Sequence, residues 1–356
     1  MLRNLLFTFF SLLLFSHCTQ EKPDIRVACE AAPLGCYKIK WEIFPPMEGT
    51  VKIFQSAVPD SFNLFFPIAE VEINKGFKDV FFVQSTQRSY FKLVFNKKYS
   101  VITAERIIPM QGLFDFRDLG GYNTTDGKQI SWGKIYRSSS LANATLQDAK
   151  LLANLDIQTI IDFRSNKERY EAPLRYLKPK TYNYPLRGNP YFIFSSRILS
   201  KEMKAEDVKE YAQNIFYYLL ENNSDYFIKM FDILLDANNY PILIDCSSGS
   251  ERSAVASALI LAAIGIDIDQ IISDYMLTNE LNDLSPYISS NSKEDIFLKD
   301  PEIQETFTAL MRVHKGTITY SFDKIIYDYA SLDNYFTTVL NLTPQKREKL
   351  KALLLY

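Results

Sequence analysis

The chain has 356 residues, long for one compact unit and suited to two. Hydrophobic residues make up 47% and aromatics 14%, enough for packed cores. Net charge is −2 and no basic stripe is present, so nothing draws the chain electrostatically to nucleic acid or to an anionic membrane. The two histidines are His17, near the N-terminus, and His314, isolated near the C-terminus. A Ser-His-Asp triad, a Cys-His pair and a His-rich metal site all need a histidine beside the nucleophile or metal. The composition therefore points away from histidine chemistry.

The N-terminal stretch MLRNLLFTFFSLLLFSHC carries one basic residue, Arg3, and then an apolar core from Leu5 to Phe15. That core is too short to span a bilayer and fits a signal peptide over residues 1–18. Cys18 follows it, then the polar TQEKPD. The arrangement resembles a bacterial lipoprotein signal, which implies lipidation at Cys18 and an exported, membrane-anchored chain. His17 departs from that pattern, where small residues are favoured. The Cys18 anchor is the one membrane contact expected.

Export alters the reading of the remaining cysteines. Cys29 and Cys36 flank the turn-like EAAPLG, and a disulfide between them is one expectation, two free thiols the other. Cys246 is left without a partner, which marks it as a candidate reactive thiol.

From about residue 19 to 107 short alternating stretches (CYKIKWEI, TVKIF, AEVEI, KDVFFV, SYFKLVF, YSVITAERI) are separated by turn residues such as PPMEG, NKG and NKK. The pattern predicts a small antiparallel β-sandwich of immunoglobulin or fibronectin type, with no catalytic constellation. From 108 to 356 the pattern changes. IQTIIDFRS and PILIDC read as buried strands. Segments from 203 to 220, 224 to 237, 253 to 266, 267 to 281, around 301 to 315 and 343 to 356 read as helices. Strands alternating with helices predict an α/β domain around a largely parallel central sheet.

PILIDC ends an apolar run on Cys246, a loop of Ser247, Ser248, Gly249, Ser250 and Glu251 follows, and Arg252 opens the next helix. Gly249 suits a backbone conformation other residues resist. Such a loop turns its N–H groups inward at a helix N-terminus and forms an anion site. A phosphate there would be held by Ser247, Ser248, Gly249, Ser250 and Ser253, with a bidentate fork from Arg252. The helix end and the arginine favour the thiolate of Cys246 as nucleophile. Arginine and loop amides stabilise the equatorial oxygens, so neither metal nor cofactor is expected.

At this point the chain resembles the bacterial atypical tyrosine and dual-specificity phosphatases. FDFRDLGGY (114–122) is similar to that family's N-F-R-D-L-G-G-Y. DGKQISWGKIYRSSSL (126–141), IIDFRSNKERYEAP (160–173), DCSSGSERSAVASALIL (245–261) and SDYMLTN (273–279) follow in the family's order. The resemblance runs from about 108 to 356. It implies hydrolysis of phosphate monoesters, on phosphotyrosine or with dual specificity, through a phosphocysteine intermediate. The partner is then a phosphorylated protein or a small phosphate monoester. Alternatives are a phosphoinositide phosphatase and a weak pseudophosphatase that binds phosphorylated ligands.

The resemblance also assigns roles. Cys246 is the nucleophile and Arg252 the phosphate clamp. Glu251 matches the family's loop acid and Asp162 the acid of the neighbouring strand, so both are candidates to protonate the leaving oxygen. The family's histidine before the cysteine is Asp245 here, and its loop lysine is Ser250. These departures predict added negative charge beside the thiol and slower turnover than in a typical member. A segment from 187 to 204, aromatic and basic, is expected to flank the site, with Arg187 or Arg197 meeting added phosphates.

Overall fold

The structure is a computed structural model describing residues 22–32, 35–81, 87–174, 179–188, 190–281 and 300–356. The N-terminal apolar segment read as a signal peptide, and Cys18, lie outside the described residues.

Seven strands build the N-terminal region among the described residues. They are β1 (Asp24–Ala32), β2 (Cys36–Phe44), β3 (Thr50–Ser56), β4 (Ala69–Glu72), β5 (Phe77–Phe81), β6 (Tyr90–Phe95) and β7 (Tyr99–Ala104). They form two antiparallel sheets, ordered β1-β2-β5 and β4-β3-β6-β7. Alternation explains them: along β2, Ile39 and Trp41 are buried while Lys40 and Glu42 are exposed. The inward set of both sheets (Ile39, Trp41, Val51, Ile53, Phe91, Leu93, Phe95) makes one core. The Trp41 indole N–H donates to Ile73 O at 2.7 Å inside it.

Cys29 and Cys36 are both free and buried, which corrects the disulfide expectation. β1 continues past Cys29 to Ala32, and the register pairs Cys29 with Ile39 and Cys36 with Ala32. An odd offset of three residues puts the two thiols on opposite faces of the sheet. Cys29 joins the sandwich core, where burial pushes its pKa far up.

The C-terminal region is α/β. Its five-stranded sheet is ordered β11-β10-β12-β9-β8. The strands are β8 (Arg117–Asp118), β9 (Ile135–Ser138), β10 (Thr159–Asp162), β11 (Lys180–Asn183) and β12 (Ile242–Asp245). β11, β10, β12 and β9 pair in parallel, and β8 joins antiparallel to β9. β12 is buried along its whole length, as its unbroken ILI run requires.

Twelve helices accompany the sheet among the described residues. They are α1 (Leu146–Asn154), α2 (Asn166–Glu171), α3 (Pro190–Leu199), α4 (Ala205–Asn222), α5 (Ser224–Leu234), α6 (Arg252–Ala263), α7 (Ile268–Met276), α8 (Thr278–Leu281), α9 (Pro301–Met311), α10 (Lys315–Tyr329), α11 (Leu332–Thr338) and α12 (Pro344–Leu354). α6 is apolar nearly all round and lies in the core against β12 and β9. α1 covers the other sheet face, over Tyr136, Ile160 and Leu243. Within the aromatic, basic segment expected to flank the site, residues 190–199 are helical. Its Phe194 and Ile198 share a small separate core with Met203 and Val208 and with Ile303 and Phe307 of α9. The N-terminal half of α4 belongs to this satellite core and its C-terminal half to the main one.

Candidate active site

Cys246 follows β12 directly and is fully buried. The chain then curls around its sulfur. The Gly249 N–H donates to Sγ at 3.2 Å, and Ser253 Oγ stands 3.4 Å from it. Gly249 has φ +80°, and a Cβ there would press on Asp115 and on the Ser139 backbone at 3.2 Å. Only glycine allows this curl without strain. Ser253 Oγ donates to Gly249 O (2.8 Å) and so ties the loop to α6. Ser250 is buried, and its hydroxyl donates to Ser248 Oγ at 2.8 Å.

Arg252, the first residue of α6, is 2% exposed. Its Nη1 donates to Phe163 O (3.1 Å) and Glu168 Oε2 (2.9 Å), its Nη2 to Glu168 Oε1 (2.9 Å) and Ser247 Oγ (2.7 Å). Ser247 Oγ in turn donates to Glu168 Oε1. Burial alone would lower the Arg252 pKa, but the Glu168 bonds and the charges of Cys246 and Glu168 raise it. Burial alone would raise Glu168, yet Arg252 and Ser247 hold it down at about 2. The fork expected to grip phosphate is thus closed on Glu168. The arginine donor left open is Nε, buried and without a partner among the described residues.

Glu168 was not assigned a role from sequence. Its local signal is a capping box: Ser165 Oγ accepts from Glu168 N–H, and Ser165 N–H donates to Glu168 Oε2. That signal explains why α2 starts there. It says nothing of Arg252, which lies 84 residues away.

Glu251 precedes Arg252 and is half-buried. Burial, reinforced by the charge of Glu168 and opposed by Arg252, pushes its carboxyl up to about 7. A carboxyl near that value holds a proton at neutral pH and can deliver it. Tyr211 and Tyr275 lie within its electrostatic reach.

Asp162 does not share that task. Its carboxylate is consumed by Arg164: Oδ1 accepts from the backbone N–H (2.9 Å) and Nε (3.1 Å), and Oδ2 from Nη2 (2.9 Å). Asp162 also stands in register with Asp245, on the α1 side of the sheet with Ile160 and Leu243. Cys246 packs on the other side with Ile242 and Ile244. Successive strand residues alternate faces, so both carboxyls point away from the sulfur.

This geometry also corrects the expected effect of Asp245. Its side chain is fully buried, with Oδ2 near the Leu141 N–H (3.4 Å) and Arg164 Nε (3.9 Å) and Oδ1 without a partner among the described residues. Burial, then the charge of Asp162, raise its pKa well above the usual carboxylate range, with Arg164 opposing. Burial thus pushes Asp245 toward its neutral form, and its carboxyl faces away from the thiol.

Behind the loop lies a second buried cluster. Arg117 pairs with Asp115 and with Asp274 (Nε–Oδ1 3.1 Å), and its Nη2 donates to Asp274 O (2.7 Å). Arg137 pairs with Asp115 (3.0 Å) and Asp274 (3.2 Å) and donates to Gly249 O at 2.6 Å. Burial would raise Asp274, but Arg117 and Arg137 hold it far below the usual carboxylate range. Burial and the charge of Arg137 push Arg117 down to about 10, against the pull of Asp274. The FDFRDLGGY, YRS and SDYMLTN segments therefore share one physical task, gripping the back of the 246–252 loop. Arg187 and Arg197 do not meet the site: Arg187 is tied to Asn222 O (2.6 Å) and Asp225 (3.2 Å), and Arg197 pairs with Glu202 (3.8 Å).

The chain is similar to several known proteins. A protein of Cupriavidus necator, provisionally named a tyrosine-protein phosphatase, is 22% identical over 231 residues, spanning 64% of this chain and 81% of its own. The triple specificity protein phosphatase PtpB of Mycobacterium tuberculosis is 24% identical over 194 residues, 48% of this chain and 68% of its own. Among solved structures, the core catalytic domain of the PP-IP phosphatase SIW14 from S. cerevisiae aligns at 17% identity and TM-score 0.29, covering 57% of this chain and 94% of that one. TpbA of P. aeruginosa aligns at 12% and TM-score 0.24, covering 51% and 89%. Residues 108–356 match the tyrosine phosphatase family, and the chain belongs to it.

Proposed function

We propose that the chain hydrolyses phosphate monoesters by attack of Cys246 Sγ on phosphorus. The S–P bond forms as the ester P–O bond breaks, and Glu251 gives its proton to the leaving oxygen. Water then attacks phosphorus and gives its proton to Glu251 as the S–P bond breaks, which returns the Cys246 thiolate and releases inorganic phosphate. Loop N–H groups and Arg252 Nε–H meet the equatorial oxygens in both steps. The observation that carries this reading is the loop curled on the sulfur, with Gly249 N–H at 3.2 Å and Arg252 pinned beside it.

Phosphotyrosine or another protein-borne phosphate is the substrate class the family match supports. The N-terminal sheets (19–107) are read as an immunoglobulin- or fibronectin-type sandwich preceding a phosphatase domain (108–356) with a largely parallel sheet. The apolar segment before Cys18 supports export and lipid anchoring. Turnover of an aryl phosphate in metal-chelated buffer, wild type against Cys246→Ser, tests the chemistry. Loss of turnover by a factor on the order of 10⁴ or more is expected. Equal rates in the two proteins would sink the reading.

A further inference from the structure

The sandwich reaches the cluster behind the phosphate loop through one side chain. Arg88, just before β6, crosses to the fully buried Asp118 of β8, Nη1 to Oδ2 at 2.5 Å. Its Nη1 also lies 3.1 Å from Tyr136 Oη, and its Nη2 donates to Glu105 O (2.7 Å). The guanidinium lies over the rings of Tyr90 (4.9 Å), Tyr136 (5.6 Å) and Trp132 (5.8 Å). Its side chain is 10% exposed. This cation of the first region is buried between the two, against Tyr90 and Glu105 on one side and Asp118, Tyr136 and Trp132 on the other.

Asp118 does more than receive it. Oδ1 accepts the Gly120 N–H and Oδ2 the Gly133 N–H, both at 2.7 Å. Gly121 lies so close to Trp132 that a Cβ would come within 2.1 Å of the ring, and the Trp132 indole donates to Ile102 O of β7 at 3.0 Å. Arg106, from the connection between the regions, adds a bond to Asp118 O (2.9 Å). The two-residue strand β8 is therefore gripped at Asp118 from the sandwich side and at Arg117 from the phosphatase interior. Arg117 shares Asp115 and Asp274 with Arg137, and Arg137 holds Gly249 O.

We propose that Arg88 is a positioning residue for the phosphate loop, which makes the sandwich part of the catalytic unit and not a spacer. Without Arg88, Asp118 is a buried carboxylate with no ion-pair partner among the described residues. It keeps the Gly120 and Gly133 N–H groups but loses the charge that ties it to the sandwich, and the grip on β8 loosens. The loss then passes to Arg117, to the carboxylates it shares with Arg137, and to the Gly249 carbonyl. The proposal rests on the phosphatase reading, since the loop it positions is the Cys246–Arg252 loop.

The test uses the full chain with Arg88→Met, Arg88→Lys and Arg88→Met combined with Asp118→Asn. Four quantities are measured: vanadate inhibition, kcat/KM for an aryl phosphate, iodoacetamide alkylation at the Cys246 peptide, and urea unfolding. Arg88→Met is expected to weaken vanadate binding and kcat/KM by roughly 3- to 30-fold and to speed Cys246 alkylation by a similar factor. Arg88→Lys should fall between it and wild type, and adding Asp118→Asn should recover part of the loss. Vanadate affinity and alkylation that stay at wild-type values while only the unfolding midpoint drops would overturn the proposal. If Arg88→Met does not fold, Arg88→Lys decides alone, and wild-type vanadate affinity in it would overturn the proposal. A wild type that neither turns over nor responds to vanadate sinks the phosphatase reading instead. The alkylation rate would then still judge Arg88.

Discussion

Two clusters of buried charge flank the phosphate loop, and they are built differently. Behind it, two arginines face two aspartates, and each carboxylate is shared by both guanidinium groups. Asp115 takes a left-handed backbone (φ 56°), which an aspartate tolerates, and reaches both arginines. In front, Arg252 is closed on Glu168 but keeps Nε open, and Glu251 keeps a proton up to about pH 7. A balanced cluster holds shape, while a cluster left with an open donor and a late-ionising acid can bind an anion and move a proton. The difference separates the part that sets geometry from the part to which the proposed chemistry is assigned.

Breaking the rear cluster should be the most damaging change. Asp274→Asn leaves two buried arginines sharing one aspartate and is expected to cost about 3–5 kcal/mol of stability, read by urea unfolding. Activity should fall with it, because Arg137 loses the partner that aims it at Gly249 O. An equally stable variant would show that the cluster is not what holds the loop.

Glu251→Gln tests the front cluster. The expected result is a fall in kcat of roughly 10²–10⁴ for esters with poor leaving groups. The rate should decline above pH of about 7 in the wild type, where Glu251 loses its proton, and the variant should lack that limb. A retained limb would assign the acid elsewhere.

Glu168→Gln removes the charged partner of Arg252 and should cost about 2–3 kcal/mol. The sign with pH follows from its depressed pKa. Its stabilisation is present above the unfolded value near 4.5 and is lost as pH falls toward about 2. The variant should therefore show a flatter stability profile over that window in urea titrations.

Asp245→Asn should have the smallest effect. The folded pKa is raised, so the native chain keeps a proton the unfolded chain has shed, and stability falls as pH rises above about 3.8. Asparagine mimics the neutral acid and should remove that slope, leaving the variant no less stable than wild type at neutral pH. A large loss of activity or stability at pH 7 would mean that the aspartate works as an anion.

What was legible in sequence was local. The CSSGSER stretch announces a sulfur at a strand end, a glycine where the chain must turn left-handed, and an arginine at a helix start. All lie within seven residues, so backbone geometry alone brings them together. The alternation of CYKIKWEI and the unbroken ILI run likewise announce a half-buried strand and a buried one. Alternation also held the clue to Asp245, since a residue beside Cys246 on a strand faces the other way.

What tertiary structure decided was every pairing at long separation. Strand register, not spacing, kept Cys29 and Cys36 apart. Glu168 closes the Arg252 fork because α2 follows β10, the parallel neighbour of β12. Arg88 meets Asp118 because the sandwich packs on β8. By itself the sequence determined the loop that joins the Cys246 sulfur, a left-handed glycine and Arg252, and the two kinds of chain that carry it. Which charges stay open for chemistry depended on who their partners are, and burial makes partners of residues that the chain itself keeps far apart.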